Sequence, residues 1–325
     1  MTEHAADLAL QTLTVEQDGR VLTVRVTDPP YNYMTAQMQK DLDRLTSTVD
    51  ADPSVGAVIL TGGVPQRYIT HFDIGEILAA SSTSARSLPH NVIRGLLAGV
   101  SHLSAIPGAE DALDRSPVSG LLNITRFSEV VLRIMRSPAV YIAAIGGPCG
   151  GGGLELSVCF DVRVAADDAA TTFMLPELLI GLTTTVGGQR LAQLIGPSRA
   201  LEIMLAGRSY SAQEAREMGL VNQVVAADTL LEKATELATV YARRNRDTVA
   251  AQKQIFNTQH ALSPVDSLCR EGAMSASSAS AAPAAAALRE WVNMQLEDGG
   301  DSVFLTRPEP WVDGAAVALN NLGGD

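Results

Sequence analysis

Clustered basic residues are missing from this chain. Its 325 residues carry 24 lysines and arginines against 36 aspartates and glutamates, a net charge of −12, and the cations form no stripe. Duplexes and anionic membranes are held by concentrated Lys and Arg, so no nucleic acid and no membrane is expected as a partner. Cysteine is nearly as scarce: Cys149, Cys159 and Cys269 are odd in number and show no CxxC spacing. That pattern builds neither a disulfide framework nor a zinc site, and it fits reduced thiols in a cytoplasmic protein with no bound metal. No apolar run approaches the roughly 18 residues of a membrane span. The acidic start Met1-Thr-Glu-His-Ala-Ala-Asp lacks a basic n-region and an apolar h-region, so a secretory signal is not expected. With 46% hydrophobic residues, the chain can bury a large core in one sizeable domain, or in a domain plus an appendage.

Glycine, in contrast, is concentrated at one place. Gly150-Gly151-Gly152-Gly153-Leu154-Glu155 follows the apolar segment 139–145 and precedes a short apolar stretch ending near Phe160. Residues without Cβ let peptide N–H groups point outward at a close-packed ligand. A helix starting at Gly153 would add its unpaired N–H groups and its dipole, with Glu155 in the first turn. Such a site stabilises an anion and moves a proton beside it. A phosphate loop fits poorly, because no Lys-Ser or Lys-Thr follows the glycines. A dinucleotide turn would set Glu155 against the pyrophosphate. Taken alone, the run is equally consistent with glycines that only permit tight backbone packing.

The first 75 residues predict a β-β-α-β unit. Strands at 12–16 and 20–27 join at Asp18-Gly19, and Asp28-Pro29-Pro30 ends the second. Thr35 caps a helix with Met38, Leu42, Leu45 and Val49 at helical spacing, and 55–60 is a buried strand. Residues 81–120 break the pattern with Ser81-Ser82-Thr83-Ser84, Pro107-Gly108 and Ser116-Pro117 around the apolar segment 92–100. They read as a surface excursion, long enough for a lid. Helical periodicity resumes at 124–135, and strands are predicted at 139–145, 161–165 and 221–225. Ser211 and Glu214 form a capping box for a helix reaching Met218-Gly219. Residues 230–244 and 247–260 are helical by pattern. The Ala/Ser-rich tract 273–287 is either a helix interrupted at Pro283 or a connector.

Val140-Tyr-Ile-Ala-Ala-Ile-Gly-Gly-Pro-Cys-Gly-Gly-Gly-Gly-Leu-Glu155, followed by Asp161-Val-Arg-Val-Ala165, resembles the central signature of the enoyl-CoA hydratase/isomerase (crotonase) superfamily. Pro176-Glu177 with Gly181, Gly187-Gly188-Gln189-Arg190-Leu191, Gly207-Arg208, residues 212–215 and Gly219-Leu220-Val221 continue the resemblance. Upstream, Pro30-Tyr31-Asn32-Tyr33-Met34 and Val58-Ile59-Leu60-Thr61-Gly62 sit where that family places its substrate-loop and strand motifs. The motifs run in order from Thr12 to Val225, with weaker agreement through Pro310.

The resemblance implies an α/β fold: a crotonase-like spiral of β-β-α units over 1–225, carrying the 81–120 insertion. A helical region over 226–325 would serve assembly and cover the active site. It implies fatty-acid metabolism on an acyl-CoA thioester, with coenzyme A part of the substrate and no separate cofactor. The assembly it implies is a homotrimer or a hexamer built as a dimer of trimers. The backbone N–H groups of Phe72 and Gly152 would form an oxyanion hole, and Glu155 and Glu177 would be the catalytic acids. Tyr33, Tyr68, Thr70, His71, Asp73, Ile74, Gly75, Gly151 and Pro176 would contact substrate. Amide donors can draw charge onto a thioester oxygen as an enolate forms, while two carboxyls exchange protons with water and with C2. Family isomerases can manage with one acid, so two favour hydration of a 2-enoyl-CoA. Isomerisation, thioester or C–C hydrolysis, and a non-catalytic acyl-CoA-binding or assembly subunit stay open beside it. The chain departs from the family at His71-Phe72-Asp73, where a Gly-Ala-Asp turn is usual, at Gly146-Gly147, and at Thr183-Thr184-Thr185. A turn without glycine takes a different backbone path, and the Phe72 ring fills space that substrate would use.

Overall fold

Six strands form the main sheet, and their burial follows their place in it. The computed structural model describes residues 3–82, 89–106, 108–258, 281–297 and 307–318, with short pieces between 266 and 277. Strand β1 (Leu13–Asp18) lies at the edge, alternates in burial and pairs antiparallel with β2 (Val21–Val26) across the predicted Gly19 turn. The interior strands β3 (Ala57–Gly62) and β4 (Val140–Ile145) are buried along nearly their whole length. That continuous apolar character is what a parallel strand covered on both faces requires. Helix α1 (Ala36–Ala51) makes the crossover from β2 to β3, and its Thr35 cap accepts from Met38 N–H as the sequence predicts.

Between β3 and β4 the segment 81–120 is largely helical in its described residues. The chain runs through α2 (Ile74–Ser82), α3 (His90–Ser104), α4 (Ala109–Asp114) and α5 (Ser119–Ile134). Helix α5 buries Leu122, Phe127, Val130, Val131 and Ile134 against the core, and α3 packs on α5 with little of its own surface covered. Residues 83–88 and Pro107, part of the proposed lid, lie outside the described residues. The apolar spacing in 92–100 outweighed the serine and proline punctuation around it.

After β4 come β5 (Cys149–Gly150), α6 (Gly152–Ser157), β6 (Val162–Asp167) and β7 (Thr172–Met174). Helices α7 (Gly188–Ile195) and α8 (Pro197–Ala206), strand β8 (Tyr210–Ser211), helix α9 (Ala212–Glu217) and strand β9 (Gln223–Ala226) follow. The main sheet has the order β1-β2-β3-β4-β6-β9, and β5-β7-β8 make a second, small one. The sequence reading missed all three small strands, which are too short to show alternation. The Ser211–Glu214 capping box is complete in both directions.

One face of the main sheet carries the larger core, with α1 and α5. The other is covered by α10 (Leu230–Tyr241) through Leu230, Ala234 and Ala238. Helix α11 (Arg246–Thr258) is pinned by Lys253, whose Nζ lies 2.6 Å from Asp161 Oδ2 and donates to Ala139 O at 2.7 Å. Helix α12 (Ala282–Glu297) begins one residue before Pro283. The ring therefore falls in the first turn, where no N–H is needed, and does not interrupt the helix; most of the tract before it lies outside the described residues. No helix among those described is long and apolar enough to cross a membrane.

Candidate active site

Two extended strands of backbone and one glycine turn meet beside the small sheet. Residues 69–73 run between the 32–34 loop and β5. Thr70 N–H donates to Asn32 O, Met34 N–H to His71 O, Asp73 N–H to Met34 O, and Gly150 N–H to Thr70 O. This arrangement engages the amides of Thr70 and Asp73. Phe72 N–H meets no acceptor among the described residues. In the glycine turn, Gly151 N–H donates to Met174 O and Glu155 N–H to Gly151 O, while Gly152 N–H is also left without an acceptor. The helix starts one residue earlier than predicted, at Gly152, with Gly151 at its cap in the left-handed region (φ +44°) that favours glycine.

Tight packing is part of the same turn. A Cβ on Gly153 would fall 2.2 Å from Ile69 O, and one on Gly152 would fall 2.7–2.9 Å from three carbons of the Phe72 ring. The glycines thus permit close approach and at the same time leave the Gly152 amide without an acceptor among the described residues.

Glu155 is fully buried, and its Oε2 accepts three backbone N–H bonds, from Thr185 (2.8 Å), Val186 (2.6 Å) and Gly187 (2.9 Å). Burial pushes its pKa up, and these donors oppose that rise. The sequence reading treated 183–185 only as a departure; the glycine pair at 187–188 was the one hint that backbone approaches closely there. Glu177 opens a single 3-10 turn (Glu177–Ile180) after Pro176. Burial first, and then the charge of Glu155, raise its pKa to about 7. Each acid keeps one buried oxygen, Glu155 Oε1 and Glu177 Oε2, with no hydrogen-bond partner. Such orphaned atoms mark a place where a ligand or water belongs.

The other candidates divide. His71 and Glu177 flank Gly151: its missing Cβ position is 3.4 Å from His71 Cβ and 3.1 Å from Glu177 Oε1. The His71 ring stacks on Tyr33 (centroids 4.7 Å, 26°), and its Nδ1 lies 2.6 Å from Phe72 O. Thr70 donates its hydroxyl to Tyr31 O, and Asp73 caps α2 by accepting from Glu76 N–H, so both hold the loop in place. Ile74 and Gly75 lie exposed on the first turn of α2. Tyr68 is a correction. It is completely buried, with its hydroxyl 3.1 Å from Ser157 Oγ beneath the turn, so its ring belongs to the core and not to an open face of the site. Cys149 and Cys159 are buried as well, and burial pushes both thiols up to about 12, far from nucleophilic use at neutral pH. No cluster of metal-ligating side chains occurs among the described residues.

A family profile described as enoyl-CoA hydratase/isomerase matches residues 121–292. The chain belongs to this family. A probable enoyl-CoA hydratase of Mycobacterium leprae, echA8, is 30% identical over 248 residues, covering 76% of this chain and 81% of its own length. The fatty acid oxidation complex subunit alpha of Shewanella putrefaciens is 32% identical over 228 residues, which are 70% of this chain but 28% of that longer one. Among solved structures, an enoyl-CoA hydratase from Geobacillus kaustophilus superposes with a TM-score of 0.72 at 25% identity, over 88% of this chain and 96% of that one. DspI of Pseudomonas aeruginosa gives 0.69, also at 25% identity, over 90% and 97%. The fold of this hydratase/isomerase family member is the crotonase fold.

Proposed function

We propose that this protein hydrates a 2-enoyl-CoA thioester. The observation that carries the reading is the pairing of two coupled, buried carboxyls, each with an unpartnered oxygen, with two unengaged amides at Phe72 and Gly152. In this reaction the amides hold the thioester oxygen as it gains enolate charge. Glu155, its Oε2 held by three N–H donors, takes a proton from water as its oxygen bonds to C3. Glu177, half protonated near neutrality, gives a proton to C2. Substrate and water combine into one 3-hydroxyacyl-CoA, and the proton gained by Glu155 returns to Glu177 through solvent. Coenzyme A enters as part of the substrate, and no other cofactor is required. Assembly as a homotrimer or dimer of trimers, in the cytoplasm, belongs to the same reading.

The test is a panel of acyl-CoA thioesters followed by mass spectrometry. Hydration adds the mass of one water, isomerisation leaves mass unchanged, and hydrolysis releases free coenzyme A. Glu155→Gln and Glu177→Gln should each cut turnover at least ~100-fold; full activity in both variants removes the assigned roles. The Phe72 ring over Gly152 favours one second reading, a non-catalytic acyl-CoA binder. Binding of thioesters by calorimetry, with no conversion across the panel, would select it.

A further inference from the structure

We propose that His71 is the proton relay of this site, recharging Glu177 from solvent after each turnover. The proposal rests on the reading of Glu177 as the acid that serves C2. His71 stands where glycine is usual, in the turn that carries one amide of the proposed oxyanion hole, and the hydration scheme leaves it without a duty. It lies between two neighbours. On one side its ring stacks on Tyr33, with centroids 4.7 Å apart and planes at 26°. On the other is Gly151. The three atoms nearest the point where a Cβ on that glycine would stand are Glu177 Oε1 (3.1 Å), His71 Cβ (3.4 Å) and His71 Cα (3.8 Å). The missing side chain thus opens a gap walled by the histidine and the carboxyl, of a size that one water bridges. Glu177 needs such an intermediary. It is buried and its Oε2 has no hydrogen-bond partner, whereas His71 is half-buried.

One ring nitrogen is already committed. Nδ1 lies 2.6 Å from Phe72 O, and a carbonyl oxygen only accepts, so Nδ1 carries a hydrogen there. Nε2 is then the exchanging nitrogen, an acceptor in the neutral ring and a donor in the imidazolium. Imidazole is the side chain suited to pass protons near neutrality. Glu177, lifted by burial and by the charge of Glu155 to about 7, takes and gives a proton in the same range. Once it has protonated C2, Glu177 is a carboxylate. Solvent protonates Nε2, the imidazolium passes that proton to Glu177, and the ring returns to neutral. Glu155 releases to solvent the proton it took from the attacking water, so the cycle closes with no net gain or loss. The titratable groups set against the ring are Glu177, from the 3-10 turn after Pro176, and Tyr33, from the 32–34 loop.

The experiment compares the wild type with His71→Ala and with His71→Asn, whose amide can still donate to Phe72 O but cannot carry a proton. Two rates are read: hydration of crotonyl-CoA, and deuterium incorporation at C2 of butyryl-CoA in D2O followed by NMR. The second needs no addition of water, only an acid at C2 that trades its proton with solvent. Both variants should lose at least ~10-fold in kcat and in exchange rate, with little change in KM. Free imidazole should speed the alanine variant several-fold and leave the wild type unchanged. A merely structural histidine would be replaced well by asparagine and would ignore imidazole; wild-type rates in His71→Asn, or no rescue of His71→Ala, overturn the relay. Should the alanine variant fail to fold, His71→Asn decides on its loss of exchange. Exchange that depends on His71 in a protein that adds no water sustains the relay while removing the hydratase reading. Hydration at the wild-type rate in both variants removes the relay and leaves that reading intact. A wild type that exchanges no C2 hydrogen sinks the relay as well.

Discussion

Burial and the neighbouring charge of Glu155 lift the Glu177 carboxyl from an ordinary 4.5 to about 7, which gives its titration two readouts. The first is kinetic: kcat/KM should inflect near pH 7, and Glu177→Gln should remove that inflection along with most of the activity. The second is thermodynamic. Below pH 4.5 the carboxyl is protonated in both folded and unfolded chains. Between 4.5 and about 7 the unfolded chain has released the proton that the folded one retains. Stability therefore falls with rising pH across that window and stays reduced above it. A glutamine cannot ionise, so its thermal midpoint should drop less across the same window; identical slopes in the two proteins would contradict the assignment. Tyr68 shows the limit of residue-level reading. Its position in the motif suggested substrate, but a buried aromatic with a satisfied hydroxyl leaves no trace in sequence that separates it from an exposed one.

Periodicity and capping made the longer elements legible. Helix α1 starts at Thr35, α9 starts on its capping box, and the interior strands fall within two residues of the predicted spans. The pieces that complete the site were not legible. Strands β5 and β8 have two residues each, and the 185–187 turn that grips Glu155 reveals itself only through contacts 30 residues away in sequence. That turn yields a prediction of its own. A Cβ on Gly187 would stand 2.5 Å from Glu155 Cα, and backbone cannot yield cheaply there. Gly187→Ala should cost about 1–3 kcal/mol in denaturant unfolding and lower kcat by shifting the acid. A variant of wild-type stability and activity would show that the turn tolerates displacement.

At the scale of the molecule, one apolar surface borders the proposed site. Leu179, Ile180 and Leu182 follow Glu177 directly, and Leu201 and Leu205 project from α8, which packs against that turn. Leu179 and Leu205 are 59% and 63% exposed. Contiguous exposed leucines of this kind are characteristic of protein interfaces, which suits the trimer or hexamer proposed above. Light scattering should report a multiple of the 34.2 kDa chain, and Leu205→Asp should shift it towards the monomer. A wild-type monomer at micromolar concentration would remove the assembly from the proposal.

The threefold grip on Glu155 Oε2 ties two duties to a single side chain. The proposed proton acceptor is also the peg around which a distant turn closes, so a substitution there touches both duties together. Any replacement lacking that oxygen would release three amides at once and loosen the 185–187 turn even where no proton moves.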